Sequence, residues 1–259
     1  MINLHLIGIG TGNPDHLTLA AIKALNQADI ILLPCKSADK SDLADLRRQI
    51  CAAVLTGPAQ VIEFDMPVRD AAKQYLTAVN DWHDAIATIW TDLIAEHLPK
   101  KNQTGGNVAL MVWGDPSLYD STLRIAARLG ANGMPLHVQV VPGITSLQAL
   151  TAAHAIPLNT LAGSVLITTG RRLREKGWPD AADTLVVMLD SGGAFTALES
   201  NGIEIWWGAY LGMQQQALIA GALTDVAEEI QSSRAELKQK HGWIMDVYLM
   251  RRAKAESAQ

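Results

Sequence analysis

Three glycine and proline turns are the residues best suited to chemistry in this 259-residue chain: Gly8-Ile9-Gly10-Thr11-Gly12-Asn13-Pro14, Trp113-Gly114-Asp115-Pro116 and Val141-Pro142-Gly143-Ile144-Thr145-Ser146. Glycine lets backbone amides approach a ligand closely, and proline fixes the turn. That chemistry is recognition of one small molecule, mainly by main chain. A cationic set, Lys36, Arg47, Arg48 and Arg69, lies in or beside the segments after the second and third apolar runs. Guanidinium forks of this kind suit carboxylates. Arg171 and Arg172 follow a later strand. Asp39, Asp42 and Asp65 occupy the same segments as the cations, and a carboxylate there could activate a water; helix capping or a solvated loop is the competing role. The seven histidines form no close pair or triad-like spacing, and His5, inside an apolar run, reads as structural.

The elements that must position these turns alternate from the start. Ile2 to Ile7 reads as a strand, followed by a helical pattern through Leu17, Leu19, Ile22 and Leu25. Ile30 to Leu33 is a four-residue aliphatic run, too short for a helix and typical of a strand covered on both faces. Leu43, Leu46, Ile50 and Val54 recur at helical spacing until Gly57-Pro58, and Val61 to Phe64 reads as a third strand. A long helix is expected from about Ala71 to Leu98, with Tyr75, Val79, Trp82, Ile86, Ile89 and Leu93 in one stripe. Its expected role is packing over the sheet, and a docking face for a second subunit is the alternative. Strands at Val108–Val112 and Leu136–Val141 complete a βαβ-rich first half, for which right-handed crossovers imply a mainly parallel sheet. In such sheets the loops at the carboxyl ends of strands line the ligand crevice. After Ser146 the strands are spaced differently: Val165–Thr169, Thr184–Leu189, Ile203–Trp207 and Trp243–Met250, with a polar helix from about Asp225 to Lys240. The expected α/β domains are 1–147 and 148–259.

Bulk properties exclude several classes. The net charge of −5 leaves no footprint for general nucleic-acid binding, though it permits a local basic pocket. No apolar run approaches a membrane span, and the amino terminus lacks the pattern of a signal peptide. Cys35 and Cys51, with no CxxC, read as reduced thiols of a cytoplasmic protein. A dinucleotide fold is the first rival, given Gly8, Gly10 and Gly12. Its fingerprint needs a third glycine where this chain has Asn13, and an acid ending the second strand. Asp29 precedes that strand instead, so both checks fail.

In order, Gly-Ile-Gly-Thr-Gly-Asn-Pro, Gly114-Asp115-Pro116-Ser117-Leu118-Tyr119 and Val-Val-Pro-Gly-Ile-Thr-Ser resemble the tetrapyrrole (corrin/porphyrin) methylase family. Ala28-Asp29-Ile30-Ile31, Ala155-Ile156-Pro157-Leu158 and Gly221-Ala222-Leu223-Thr224 match it too. The segments Lys36 to Arg48, Phe64 to Asp70 and Trp207 to Gly212 resemble the branch of the family that couples methylation to deacetylation. The resemblance implies a homodimer of two αβα domains, the class III methyltransferase fold, binding S-adenosyl-L-methionine in a cleft between the domains. Trp113, Gly114 and Asp115 would contact this methyl donor, with Leu118 beside it. Thr145 and Ser146 would contact its methionyl end, Met188 and Leu189 its adenosine, and Tyr210, Leu211 and Gly212 the edge of its adenine. Tight turns or helix caps compete for Gly114 and Thr145, and core packing for Leu118, Met188 and Leu189.

The implied reaction is methylation of precorrin-5 at C-1 with loss of its acetyl group as acetate, giving precorrin-6A and S-adenosyl-L-homocysteine, without a metal. The polyanionic tetrapyrrole would meet Lys36, Arg47, Arg48 and Arg69, and Asp39 or Asp65 would serve deacylation. Two departures limit the transfer. Thr11 stands where family members often have proline. Pro34 stands where several carry an aspartate, so no catalytic base is inherited there. The alternatives are a corrin-ring methyltransferase without deacetylation, a relative that modifies protein or RNA, and a non-catalytic nucleotide- or tetrapyrrole-binding module.

Overall fold

A computed structural model describes residues 1–35, 41–98 and 105–252; Lys36, Asp39, the Asp42 side chain and the polar tail from Ala253 lie outside the described residues. The chain divides into two units, Met1–Thr145 and Ser146–Gln259.

In the first unit, strands β1 (Ile2–Gly8), β2 (Ile30–Cys35), β3 (Gln60–Asp65), β4 (Asn107–Val112) and β5 (Leu136–Val141) form one parallel sheet in the order β3-β2-β4-β1-β5. The crossovers carry helices α1 (Leu19–Asn26), α2 (Ser41–Val54), α3 (Tyr75–His97) and α4 (Thr122–Ala131). Successive side chains of a strand point to opposite faces, and both faces here are covered. Leu4, Leu6, Ile30, Leu32, Leu110 and Val112 pack with Ile86, Trp90 and Ile94 of α3 and Ile125 and Leu129 of α4. Ile7, Ile31, Ala109 and Met111 pack with Leu25 of α1 and Ile50 of α2. Two-sided burial is why the inner strands β2 and β4 are unbroken aliphatic runs, whereas the edge strand β3 alternates and the edge strand β5 is largely exposed. The α3 stripe is therefore a core face, although Tyr75 at its start is exposed. That helix begins at Tyr75 rather than Ala71. Asp29 sits at the amino-terminal end of the sheet, where its Oδ2 accepts the Asn107 amide at 2.7 Å, away from the glycine turns.

The second unit runs α5 (Ser146–His154), β6 (Val165–Thr169), α6 (Gly170–Lys176), β7 (Thr184–Met188), β8 (Ile203–Ala209), β9 (Ala217–Ala222), α7 (Leu223–His241) and β10 (Asp246–Arg252). Its sheet is mixed, in the order β6-β7-β10-β8-β9, with only β6 and β7 paired in parallel. Leu185, Val187, Ile205, Trp207, Tyr248 and Met250 pack against Leu173 of α6 and Leu223 and Ile230 of α7. Two features differ from the sequence reading. Strand β9 is an additional element, and β10 starts at Asp246 because Trp243 to Met245 form a connection instead. Among the described residues, no helix is long and apolar enough to cross a membrane.

Candidate active site

The parallel register of the first unit brings its turns together. Gly8 pairs with Val112 and Ile7 with Val141, so β1, β4 and β5 end side by side. Beyond those ends Gly114 donates to the Gly10 carbonyl at 2.8 Å. A Cβ on Gly8 would lie 2.6 Å from the Gly143 nitrogen, and one on Gly143 only 2.2 Å from the Gly114 carbonyl oxygen. Those positions admit no side chain because three backbones already touch. Gly114 also has φ of +62°, which glycine adopts without the penalty other residues pay.

Asp115 locks this arrangement. Its Oδ2 accepts the Gly143 amide at 2.9 Å, and Oδ1 accepts the Ser117 amide and hydroxyl at 2.8 and 2.5 Å. Burial works against the charged carboxylate, but these hydrogen bonds outweigh it and hold Asp115 below the usual carboxylate range. The side chain therefore ties one turn to the next. Half-buried Leu118 follows, and Tyr119 takes φ of +48°. Half-buried Thr145 ends the first unit, and Ser146 opens α5.

In the second unit Met188 is the last residue of β7, and Leu189 after it has φ of +51° with 66% of its surface exposed. Tyr210, just past β8, has φ of +49° and is 1% exposed. Its ring packs edge-on to His241 and Trp243, and its hydroxyl donates to the Trp243 carbonyl. Leu211 is buried too, so this turn offers main chain rather than side chains. The Gly212 amide is held by Gln216 Oε1 at 2.8 Å. Left-handed backbone at a non-glycine residue costs on the order of 1–3 kcal/mol and persists only when the surroundings impose it. Tyr119, Leu189 and Tyr210, three of the five such residues described, lie in the segments expected to contact the cofactor.

The constraint at Leu189 is visible. Asp190 accepts from Arg174 Nη1 (2.9 Å), the Gly192 and Ala194 amides (3.1 and 2.5 Å) and the Tyr248 hydroxyl (2.7 Å). Its own carbonyl accepts Arg234 Nη2 at 2.6 Å, while Arg234 grips Asp246 through two bonds. Burial opposes the charge on Asp190, yet the donors win and keep its carboxyl below the ordinary range.

The cationic candidates separate. Arg47 is 8% exposed, lies 4.9 Å over the Trp113 ring, and donates to the Met111 and Leu43 carbonyls at 3.2 and 3.4 Å. Burial pushes its guanidinium down to about 10, against the opposing charge of Asp120, so it remains a cation at neutral pH. Arg48 is exposed and already engaged by Asp45 and bidentately by Glu63, with Nε at 2.6 Å and Nη2 at 2.7 Å, which leaves little of its fork for a ligand. Arg69 is exposed and stacks over Tyr75 at 5.2 Å. Asp65 ends β3 in the open, opposite Cys35 in the β2 register. The thiols are free, and burial raises both.

Sequence reasoning missed a cavity of about 220 Å³ in the first unit, beside Trp113. Arg47, Trp82, Trp90, Trp113 and Asp120 line it at the carboxyl ends of β2 to β4. The available signal was Asp120 itself, one residue beyond the Gly114–Tyr119 motif, and the two tryptophans eight residues apart on α3.

Residues 3–227 match the family Tetrapyrrole (Corrin/Porphyrin) Methylases. The chain is 47% identical over 255 residues to precorrin-6A synthase [deacetylating] from Sinorhizobium sp, covering 97% of this chain and 96% of the relative. A crystal structure of a cobalamin synthesis related protein (CobF) from Corynebacterium diphtheriae superposes with a TM-score of 0.82 at 36% identity, over 98% of this chain and all of that one. Cobalt precorrin-4 methyltransferase, CbiF, shares the fold at a TM-score of 0.59 and 18% identity, over 96% and 94% of the two chains. With its glycine turns, its sheet orders and these likenesses in agreement, the chain belongs to the tetrapyrrole methylases.

Proposed function

We propose that this chain is an S-adenosyl-L-methionine-dependent C-methyltransferase of cobalamin biosynthesis that methylates precorrin-5 at C-1 and releases its acetyl group as acetate, giving precorrin-6A. The observation that carries this reading is 47% identity with a precorrin-6A synthase [deacetylating] over nearly the whole length of both chains. The touching backbones of the Gly8, Gly114 and Gly143 turns fit it, because they present main chain where no side chain can intrude.

Trp113, Gly114, Asp115, Leu118 and Thr145 from the first unit, and Ser146, Met188, Leu189, Tyr210, Leu211 and Gly212 from the second, would hold the methyl donor. When bound, that sulfonium supplies an electrophilic methyl group. The protein's task is then to align a reactive macrocycle carbon and exclude water, which can supply most of the rate. Asp115 serves by fixing the turns, and Asp190 by fixing the backbone at Leu189. Arg69 receives an acetate or propionate arm of the substrate, and Lys36, Arg47 and Arg48 are the further substrate-binding candidates taken from sequence. Asp39 and Asp65 are the deacylation candidates taken from sequence. The enzyme works as a cytoplasmic homodimer, which light scattering tests against the 27.9 kDa subunit mass.

Titration calorimetry with S-adenosyl-L-homocysteine, followed by transfer of labelled methyl to precorrin-5, tests the reading. Binding with transfer supports it. Binding without transfer points to a non-catalytic module, and absence of binding overturns it.

A further inference from the structure

The cavity beside Trp113 is the feature that the proposed cofactor contacts do not explain. Its walls are mostly apolar: Phe64, Met66, Trp82, Ile86, Leu110 and Ile125 contribute to them. At about 220 Å³ it exceeds the roughly 150 Å³ void that accepts a benzene-sized guest. Two charged side chains, Arg47 and Asp120, interrupt that lining, and two indole N–H groups are buried in the tryptophans that form its walls. Arg47 is buried, and among the described residues it has no carboxylate within ion-pair distance, only two backbone carbonyls. Trp90 is 2% exposed, and its indole N–H and that of Trp113 are both buried without an acceptor among the described residues. Asp120 places Oδ1 on the Thr122 amide and hydroxyl at 2.6 and 2.5 Å, and its Oδ2 accepts no hydrogen bond among the described residues. Buried donors are rarely left unpaired, so such groups in the walls of a cavity call for an acceptor.

The charges select the guest. Arg47 and Asp120 balance, so the chamber is close to neutral, and Asp120 would repel a carboxylate arm. A neutral carbonyl group satisfies the unpaired donors without that penalty.

We infer that this cavity is the acyl chamber of the enzyme, in which the acetyl group of the substrate sits with its carbonyl oxygen toward Arg47 and the tryptophan N–H groups while Asp120 activates the attacking water. The inference rests on the function proposed above and assigns the deacylating base to a residue other than Asp39 or Asp65. In the step, water oxygen bonds to the acetyl carbon as its proton passes to Asp120. The bond from the acetyl carbon to the macrocycle then breaks, its electron pair stays on the macrocycle, and acetic acid leaves. That pair is what the methyl group from the sulfonium donor satisfies, so the electrons of the two half-reactions balance.

Asp120→Asn separates the proposed role from the structural one. Asparagine keeps an Oδ1 acceptor for the Thr122 amide and hydroxyl, so those contacts and the thermal midpoint should persist while the base is lost. Acetate release from precorrin-5 should fall on the order of 100-fold or more, the usual worth of a general base, with S-adenosyl-L-homocysteine affinity unchanged. Trp90→Phe keeps an apolar aromatic ring, though a smaller one, and removes one donor, and should lower the acetate rate about tenfold or more without altering that affinity. Asp120→Asn releasing acetate within about threefold of the parent rate overturns the chamber and leaves the proposed function standing. So does an effect confined to KM, which marks a carboxylate-arm pocket. A parent enzyme that transfers methyl without acetate overturns the proposed function and the chamber together.

Discussion

Gly143→Ala is the sharpest perturbation of the turn cluster. The new Cβ would stand 2.2 Å from the Gly114 carbonyl oxygen and 2.7 and 2.8 Å from the Gly8 carbonyl carbon and Cα. Even close carbon–oxygen contacts in proteins lie at about 3.3 Å, so the overlap exceeds ~1 Å. All three clashing atoms are backbone, and none can rotate aside. Relief requires the β5 turn to move out, which breaks the Gly143 amide bond to Asp115 and strains the Gly114–Gly10 contact. Overpacking costs about 1–3 kcal/mol, and a hydrogen bond to a charged acceptor about 1.5–3. A total near 3–5 kcal/mol lowers the thermal midpoint on the order of 10 °C for a chain of this size. The same displacement should weaken S-adenosyl-L-homocysteine binding at least about tenfold, equivalent to ~1.4 kcal/mol. Gly130→Ala in α4 is the matched control. Its Cβ meets nothing within 4 Å, and removing glycine from a helix should stabilise by about 0.5–1 kcal/mol. Differential scanning calorimetry and ligand titration on both variants decide the matter. A Gly143→Ala protein with parental midpoint and affinity refutes the claim that the turns are in contact and grip the donor.

Asp190→Asn should cost about 1.5–3 kcal/mol, because the loop amides and the Tyr248 hydroxyl lose a charged acceptor, while the exposed Arg174 is screened by solvent and adds little. The folded-state carboxyl lies below its unfolded value, so its stabilisation is present above the ordinary aspartate range and is lost as pH falls through the folded value. Urea titrations between neutral and acid pH should show a smaller acid slope in the variant, and an unchanged slope contradicts the assignment. Tyr210→Phe removes the bond that its hydroxyl donates to the Trp243 carbonyl and should destabilise by about 0.5–1.5 kcal/mol. On the proposed reading only the backbone of Tyr210 faces the donor, so ligand affinity should stay within about twofold; a tenfold loss, ~1.4 kcal/mol, contradicts that. Arg69→Ala should weaken corrinoid binding and leave S-adenosyl-L-homocysteine binding intact, and equal loss of both by calorimetry rules out its role as a substrate-arm receptor.

The aliphatic runs Ile30–Leu33 and Val108–Val112 made the buried parallel strands legible, because burial on both faces leaves no polar alternation. The glycine turns were legible for the same kind of reason: backbone contact leaves a mark in residue type. Strand β9 left none. Ala217–Ala222 is short, built of small residues and paired on one side only, so its alternating burial carries little hydrophobic contrast. Periodicity placed Trp82 on the inner stripe of α3 and left Trp90 off it, and a stripe does not say whether its far end meets packed side chains or a void. Arg48 looked equivalent to Arg47 because they are adjacent. Only the fold sets Glu63 of β3 beside the first and the Trp113 ring beneath the second. Asp120 was hidden behind Tyr119, where the glycine motif stops, and its cap to Thr122 resembles any helix start.

The central claim is that one chain couples sulfonium methyl transfer to hydrolytic loss of an acyl group. The direct measurement is product stoichiometry: purified protein, precorrin-5 and methyl-labelled S-adenosyl-L-methionine, with labelled corrinoid and free acetate counted in the same reaction. Equal yields of acetate and methylated macrocycle, rising together, are the predicted result. Methylated product with no acetate, or acetate formed in the absence of the methyl donor at an undiminished rate, contradicts it.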